Sequence, residues 1–224
     1  ESYADQTSIR LLLKSGFSLN GLLDMFKLLE QNEKFKQFNP YFLTHPLSSK
    51  RKRNIKMHLG SQKFVNSFED LEKRFRLIKA KLYGFFLKQE ALDKIYKNTS
   101  SLESNYAYSL RYYRIGKVDL AIEEINKCLK IDPNNPYFRE LKGQIFYENG
   151  NILLAINEFR KALELFPSEK SFELFLAKAL YNKKNEVDYK EAINLLWSYI
   201  KKDEFSVDAW HYLGLNYGKI KKFD

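Results

Sequence analysis

Two carboxylates stand four residues apart where the sequence begins, Glu1 and Asp5 in the stretch ESYAD. This spacing places both side chains on one face of a helix, which Ile9, Leu12 and Leu13 continue as an apolar stripe. A carboxylate oxygen can ligate zinc, and a second carboxylate can orient a ligand histidine by accepting a hydrogen bond from its ring. The spacing alone favours a simpler interpretation, two solvated acids in a first helical turn.

A histidine and an arginine follow in a basic stretch, FLTHPLSSKRKRNI. His45 precedes Pro46 in a polar turn, where a histidine is more often structural or exposed than functional, and Arg51 lies six residues further on. The other histidines are His58 and His211, and no two histidines are four residues apart. The sequence therefore contains no H-E-x-x-H motif and cannot build a complete zinc site by itself.

The order of these stretches resembles the glutamate-zincin metallopeptidases of the HtpX, CAAX-prenyl-protease and BepA (YfgC) type, over essentially the whole chain. ESYAD, SGFSLNGLLDMFKLLEQNE, FLTHPLSSKRKRNI, RFRLIKAKLYGFF and NPYFRELKGQ follow one another as in that family. The resemblance implies that Glu1 is the third zinc ligand and that Asp5 orients a ligand histidine. It also implies that His45 is a displaceable regulatory ligand, and that Arg51, or Arg53 two residues later, is the arginine after the T-H-P turn.

The resemblance also implies a function, a zinc-dependent metalloendopeptidase of the bacterial periplasm that acts in envelope protein quality control. Its cofactor is Zn²⁺, which activates a water molecule while the glutamate of H-E-x-x-H acts as general base. We expect that motif upstream of Glu1 in the intact protein, so that this chain is an inactive C-terminal fragment. Misassembled outer-membrane proteins and their assembly machinery are the implied substrates and partners.

A repeat occupies the second half of the sequence. YYRIGKVDLAIEEINKCLKIDPNNP from 112 aligns without a gap with FYENGNILLAINEFRKALELFPSEK from 146, a period of 34 residues. The period, the turn glycine, the small alanine and the closing proline resemble the tetratricopeptide repeat (TPR), a helix-turn-helix unit. A third unit carries three extra residues around Asn185, Glu186 and Val187, and a fourth begins at AWHYLGLNYG.

Three tyrosines recur with the repeat, Tyr113, Tyr147 and Tyr181. The first helices of TPR arrays line a concave groove, so these side chains are predicted to form a ladder that grips a partner segment. The alternative is that each tyrosine packs on a neighbouring repeat. Basic pairs that would clamp a C-terminal carboxylate are not evident at matching positions.

The pattern as a whole predicts an all-α fold in three parts. Residues 1–60 are the C-terminal part of a peptidase domain, residues 61–98 are linking helices, and residues 99–224 hold about three and a half TPRs. The main linking helix is predicted to open at Ser67 and to end near Gly84. One face of this helix carries a set of apolar residues, namely Leu71, Phe75, Ile78 and Leu82.

Composition narrows the classes of partner. The net charge of +10 is spread over the chain among 28 acids, and no nucleic-acid-binding module accompanies it, so we expect no nucleic-acid partner. A single cysteine, Cys128, excludes an internal disulfide and a cysteine-based zinc site. Contact with an anionic membrane surface stays open, because basic residues cluster at positions 50–56.

Two hypotheses of different classes follow. The first is the zinc metalloendopeptidase, whose repeats bind protein substrates or partner proteins. The alternative is a non-catalytic TPR adaptor for protein–protein interaction, in which the N-terminal helices only cap the repeats. The adaptor explains the repeats and treats ESYAD and T-H-P as coincidence.

Overall fold

The computed structural model describes residues 2–35, 48–59, 68–96 and 99–220. These residues form helices and turns without a strand, and none of the helices is long and apolar enough to cross a membrane. The chain divides into two compact units, residues 1–69 and residues 70–224, which we describe separately. The all-α fold class is confirmed.

In the described part of the N-terminal unit there are three helices, α1 (Ser2–Lys14), α2 (Asn20–Phe35) and α3 (Ser48–Leu59). The apolar periodicity of α1 and α2 places their stripes together around a small core. That core consists of five buried side chains, namely Ile9, Leu19, Leu23, Phe26 and Ile55. The unit therefore has its own hydrophobic interior.

The C-terminal unit begins with two helices that precede the repeats, α4 (Glu69–Phe86) and α5 (Gln89–Tyr96). Seven further helices continue in pairs: α6 (Leu102–Arg114), α7 (Val118–Ile131), α8 (Pro136–Glu148), α9 (Ile152–Leu165), α10 (Lys170–Lys183), α11 (Glu186–Ile200) and α12 (Val207–Lys219). The first helix of each repeat is thus α6, α8, α10 or α12. Each helix packs on the next, as expected of a solenoid in which every unit contacts its neighbours.

A left-handed backbone residue follows the first helix of each of the first three repeats. Gly116 and Gly150 have φ of 73° and 78°, which a residue without a Cβ adopts readily. The third repeat places Lys184 at the equivalent position with φ of 60°. The period predicted from sequence is thus visible in the backbone, and the third repeat keeps the turn without its glycine.

The sequence suggested that the three extra residues of the third repeat lie between its two helices. The structure shows instead that they do not lengthen that loop. Asn185 is the N-cap of α11, and its Oδ1 accepts hydrogen bonds from the backbone N–H groups of Val187 at 2.9 Å and Asp188 at 3.4 Å. Glu186 and Val187 lie inside the helix. The insertion therefore extends the start of α11, because an asparagine cap satisfies its first amide groups.

The linking helix α4 has nearly the predicted length, but the face that it buries lies opposite the apolar stripe seen in the sequence. Its buried residues are Ala80 and Gly84, whereas the predicted apolar stripe is exposed, from 49% at Leu82 to 64% at Phe75. The predicted cap Ser67 lies outside the described residues. The small residues face the repeats because they allow a closer backbone approach than large side chains do.

Candidate functional site

Asp5 and Arg51, both singled out by the sequence, meet in the N-terminal unit. Arg51 Nε donates to Asp5 Oδ2 at 2.7 Å, and Arg51 Nη2 donates to Asp5 Oδ1 at 2.5 Å. Asp5 is only 6% exposed, and the Arg51 guanidinium also lies 4.3 Å from the centre of the Phe26 ring. Such a two-pronged pair holds α3 against α1, with the arginine packed on the core between them.

The two predicted metal ligands, Glu1 and His45, lie outside the described residues. Within the described ranges, no group of three His, Cys, Asp or Glu side chains is arranged to hold a metal ion. Both carboxylate oxygens of Asp5 accept hydrogen bonds from an arginine rather than from a histidine. The described residues therefore do not fit a zinc site by themselves, and the zinc role of Glu1 and His45 stays a prediction.

The three repeated tyrosines are half-buried, and each contacts another repeat helix. Burial raises the pKa of the Tyr113 hydroxyl well above the usual range, and the nearby Glu148 on α8 raises it further. Tyr147 Oη accepts a hydrogen bond from Asn182 Nδ2 at 2.7 Å. Tyr181 packs edge-to-face on Tyr212, with ring centres 5.8 Å apart. The alternative considered for the sequence, packing on neighbouring repeats, is thus observed, while a gripping role stays a prediction.

The tyrosines of the later repeats form a cluster on the first helices α8, α10 and α12. We call Tyr147, Tyr181, Asn182, Tyr212 and Lys178 the tyrosine cluster. Lys178 Nζ lies 5.3 Å from the centre of the Tyr212 ring, and burial with a hydrogen bond to Tyr212 raises the pKa of Tyr147 to about 12. The cluster presents aromatic faces, hydroxyl groups and one ammonium group together, which are the groups that bind peptide segments best.

The sequence reasoning missed Lys178, Asn182 and Tyr212. It followed only one register of the repeat, and Tyr212 stands six residues before Gly218, the position equivalent to Tyr181 once the three extra residues of the third repeat are counted. A search for polar and aromatic residues on the neighbouring turns of the first helices would have found all three.

The face formed by the first helices is partly covered by α4 at the first repeat. A Cβ atom at Gly84 would clash with the carbonyl oxygen of Ala107 and lie 2.9 Å from Leu110 Cβ, so α4 crosses α6 closely there. Arg76 Nε donates to Glu103 Oε1 at 2.9 Å, and the Arg114 guanidinium lies 4.2 Å from the centre of the Phe85 ring.

A buried carboxyl group lies near this helix. Glu140 on α8 is 7% exposed, and its burial raises the pKa to about 7, although Lys81 of α4 and a hydrogen bond from Gln144 act in the opposite direction. Tyr106 of α6 and Glu169 lie near the same carboxyl group. The protonation of Glu140 is therefore linked to the packing at this face.

Comparison with known proteins identifies the repeats. A family model of the tetratricopeptide repeat matches residues 102–135 and 138–169. The chain contains tetratricopeptide repeats. A TPR repeat-containing protein of Methanocaldococcus jannaschii is 48% identical over 60 residues, which are 26% of this chain and 10% of that protein. The matched segment thus spans a small part of that relative.

A solved structure has the same repeat fold. The first TPR domain of Spaghetti (RPAP3), bound to an HSP90 peptide, superimposes with a TM-score of 0.51 at 16% identity. The match covers 57% of this chain and 98% of that one, and at this identity it shows the fold alone. None of these likenesses supports a zincin peptidase domain.

Proposed function

We propose that this chain is a TPR adaptor that holds a segment of a partner protein against the first helices α8, α10 and α12. The observation that carries the proposal is the tyrosine cluster, which lies on that face of the repeats. The TPR structure that resembles this chain was solved with a peptide, which supports this mode of binding.

The geometry of the cluster suits an anchor site. Tyr147 and Tyr181 are fixed by Asn182 and Tyr212, so they lose little conformational freedom when a partner binds. Lys178 pairs with Asp208 and lies beside the Tyr212 ring, so its charge is held at the edge of the cluster. A partner segment with an apolar side chain next to a carboxylate would meet both kinds of group.

A random peptide library displayed on phage, selected on the wild-type chain, tests the proposal. We expect the selected peptides to bind a Tyr181→Ala variant about tenfold more weakly or worse, because truncating an aromatic anchor removes 1.4 kcal/mol or more. Phe205→Ser is the matched control, because Phe205 is 84% exposed and lies outside the cluster. Equal affinity for the wild type and the Tyr181 variant would refute the proposed site.

A second candidate function is the zinc metalloendopeptidase, for which we propose that this chain supplies the third-ligand helix. The supporting observation is that Asp5 and Arg51, which the resemblance selected 46 residues apart, form a paired contact. The repeat likenesses favour the adaptor over this candidate. Zinc content and proteolysis of the intact protein, with and without Glu1→Gln, test the peptidase. An intact sequence without an H-E-x-x-H motif would eliminate it.

A further inference from the structure

Helix α4 exposes a row of large apolar side chains, the last of which, Phe85, also contacts the Arg114 guanidinium of α6. We call Leu71, Phe75, Ile78, Leu82 and Phe85 the outer stripe, and the first four are 49% to 64% exposed. The opposite face of α4 buries only Ala80 and Gly84, with Leu77 partly buried beside them. A row of large exposed apolar side chains of this kind is typical of an interaction surface.

The spacing within the outer stripe specifies the shape of what binds. Its members are separated by four, three, four and three residues, which is the a/d spacing of a heptad repeat. Such a row forms a narrow seam along one side of a helix. A second α-helix fills a seam of this width by knobs-into-holes packing, whereas an extended strand would cover only part of it.

The charges beside the stripe specify the partner further. Arg74 and Lys81 stand at g positions on one edge of the stripe, where Arg74 also pairs with Asp70 at 2.8 Å, and Glu72 and Lys79 stand at e positions on the other edge. A second copy of this chain gains little from these charges, because Arg74 would meet Lys79 in a parallel pair, and in an antiparallel pair the attraction between Glu72 and Lys79 is offset by the repulsion between Arg74 and Lys81. A helix with acidic residues beside its own seam would complement the row of Arg74 and Lys81 in either direction.

We infer that the outer stripe of α4 docks an amphipathic helix of a partner protein, with apolar residues at heptad spacing and acidic residues beside them. An anionic bilayer fits the stripe less well. The apolar seam is narrow, whereas a helix that lies in a bilayer interface buries a broad apolar face. The stripe is separate from the tyrosine cluster, so this inference does not depend on the proposed function.

A pair of synthetic peptides of several heptads provides the probe. Both have leucine at a and d; one has glutamate and the other lysine at e and g, so that like charges keep each from pairing with itself. Fluorescence anisotropy with the full chain measures their affinities. We expect the acidic peptide to bind at least about tenfold more tightly than the basic one, with the difference shrinking as salt is added.

Three variants locate the bound peptide. Phe75→Ser combined with Ile78→Ser should weaken the acidic peptide about tenfold or more, and both residues are exposed, so folding should be retained. Arg74→Glu combined with Lys79→Glu should reverse the preference between the two peptides. Phe205→Ser, which alters an apolar residue away from α4 that is 84% exposed, should change neither affinity.

A dye on Phe75→Cys reports whether the stripe is covered in the free chain. The native Cys128 is buried and should not react, so labelling is selective. We expect a solvent-exposed emission that shifts to the blue when the acidic peptide binds. An already shielded dye would show that a segment of this chain occupies the stripe, and a stripe-dependent dimer would show a second copy. Either result overturns the inference. Equal affinities for both peptides, or no binding of either peptide, would also overturn it. So would binding to anionic vesicles that depends on the stripe and occurs without peptide binding.

Discussion

Replacing Glu140 with glutamine should change how the stability of the repeats depends on pH. The carboxyl group is 7% exposed, and burial raises its pKa from 4.5 to about 7. Below about pH 4.5 it is protonated in the folded and the unfolded chain alike, so the fold carries no penalty. As the pH rises towards 7, the unfolded chain ionises while the folded one keeps its proton, and stability falls.

The size of this effect follows from the two pKa values. At about 1.4 kcal/mol per pH unit, the difference amounts to about 3 kcal/mol, reached in full above about pH 7. Glutamine has the same shape, can still accept the hydrogen bond from Gln144, and does not ionise. Glu140→Gln should therefore stabilise the repeats by up to about 3 kcal/mol near pH 8 and change little near pH 4.5.

The assay uses the two tryptophans of the sequence, Trp197 and Trp210, which both lie in the repeats. Their fluorescence in urea reports unfolding of this unit alone, at several values between about pH 4.5 and 8. Glu164→Gln at an exposed position is the control and should follow the wild type. The reasoning is refuted if wild type and Glu140→Gln lose stability in parallel across this range.

Three further substitutions, one of them with a matched glycine control, have expected outcomes. Gly84→Ala should destabilise the packing of α4 by about 1–3 kcal/mol, because the added Cβ meets the α6 backbone, and hydrogen exchange in α4 should become faster. Gly214→Ala is the control: its added Cβ meets no atom, so it should instead stabilise α12 by about 0.5–1 kcal/mol. Lys184→Gly should raise the free energy of unfolding of the repeats by about 0.5–1 kcal/mol, seen as a higher urea midpoint, because glycine adopts φ of 60° without strain. Arg51→Met should cost the N-terminal unit about 3 kcal/mol by leaving Asp5 buried without its guanidinium partner, measured by hydrogen exchange in α1 and α3.

Each of these expectations can fail in a specific way. Unchanged exchange in α4 after Gly84→Ala would mean that α4 can shift without loss. A lower urea midpoint for Lys184→Gly would show that the lysine side chain contributes more than its backbone strain costs. Protection of α1 equal to that of the wild type in Arg51→Met would show that Asp5 finds another donor.

The repeats could be predicted from sequence because their information is local. The 34-residue period, the turn glycines and the small alanines each act within one unit, so the helix pairs follow from neighbouring residues. Lys184 is a position whose backbone conformation the local sequence does not predict. Its left-handed backbone is imposed by the repeat geometry around it, although lysine has no preference for that conformation.

The orientation of α4 could not be predicted in the same way. Amphipathic spacing identified the stripe of Leu71, Phe75, Ile78 and Leu82 correctly, but burial was decided by Gly84, which fits against Ala107. Hydrophobic periodicity weighs side-chain size and polarity, and it does not measure how closely two backbones can approach. A helix with one face of small residues and another of large apolar residues therefore has two faces that could be buried against the rest of the fold.

The contact of Asp5 with Arg51 was only half predicted. The family resemblance selected both residues, yet it assigned Asp5 to a histidine, and nothing in a spacing of 46 residues indicates that the two side chains meet. The positions of Glu1 and His45, on which the zinc interpretation depends, lie outside the described residues. The structure thus gives Asp5 a partner that is sufficient to explain its burial.

The tyrosines join the repeats to one another with the same atoms that a partner would touch. The hydrogen bond from Asn182 to Tyr147 links α10 to α8, and the contact of Tyr113 with Glu148 links α6 to α8. A ligand that draws either hydroxyl towards itself loosens a tie between successive units. A partner bound at these hydroxyl groups would therefore alter the spacing of successive repeats as well as occupy their surface.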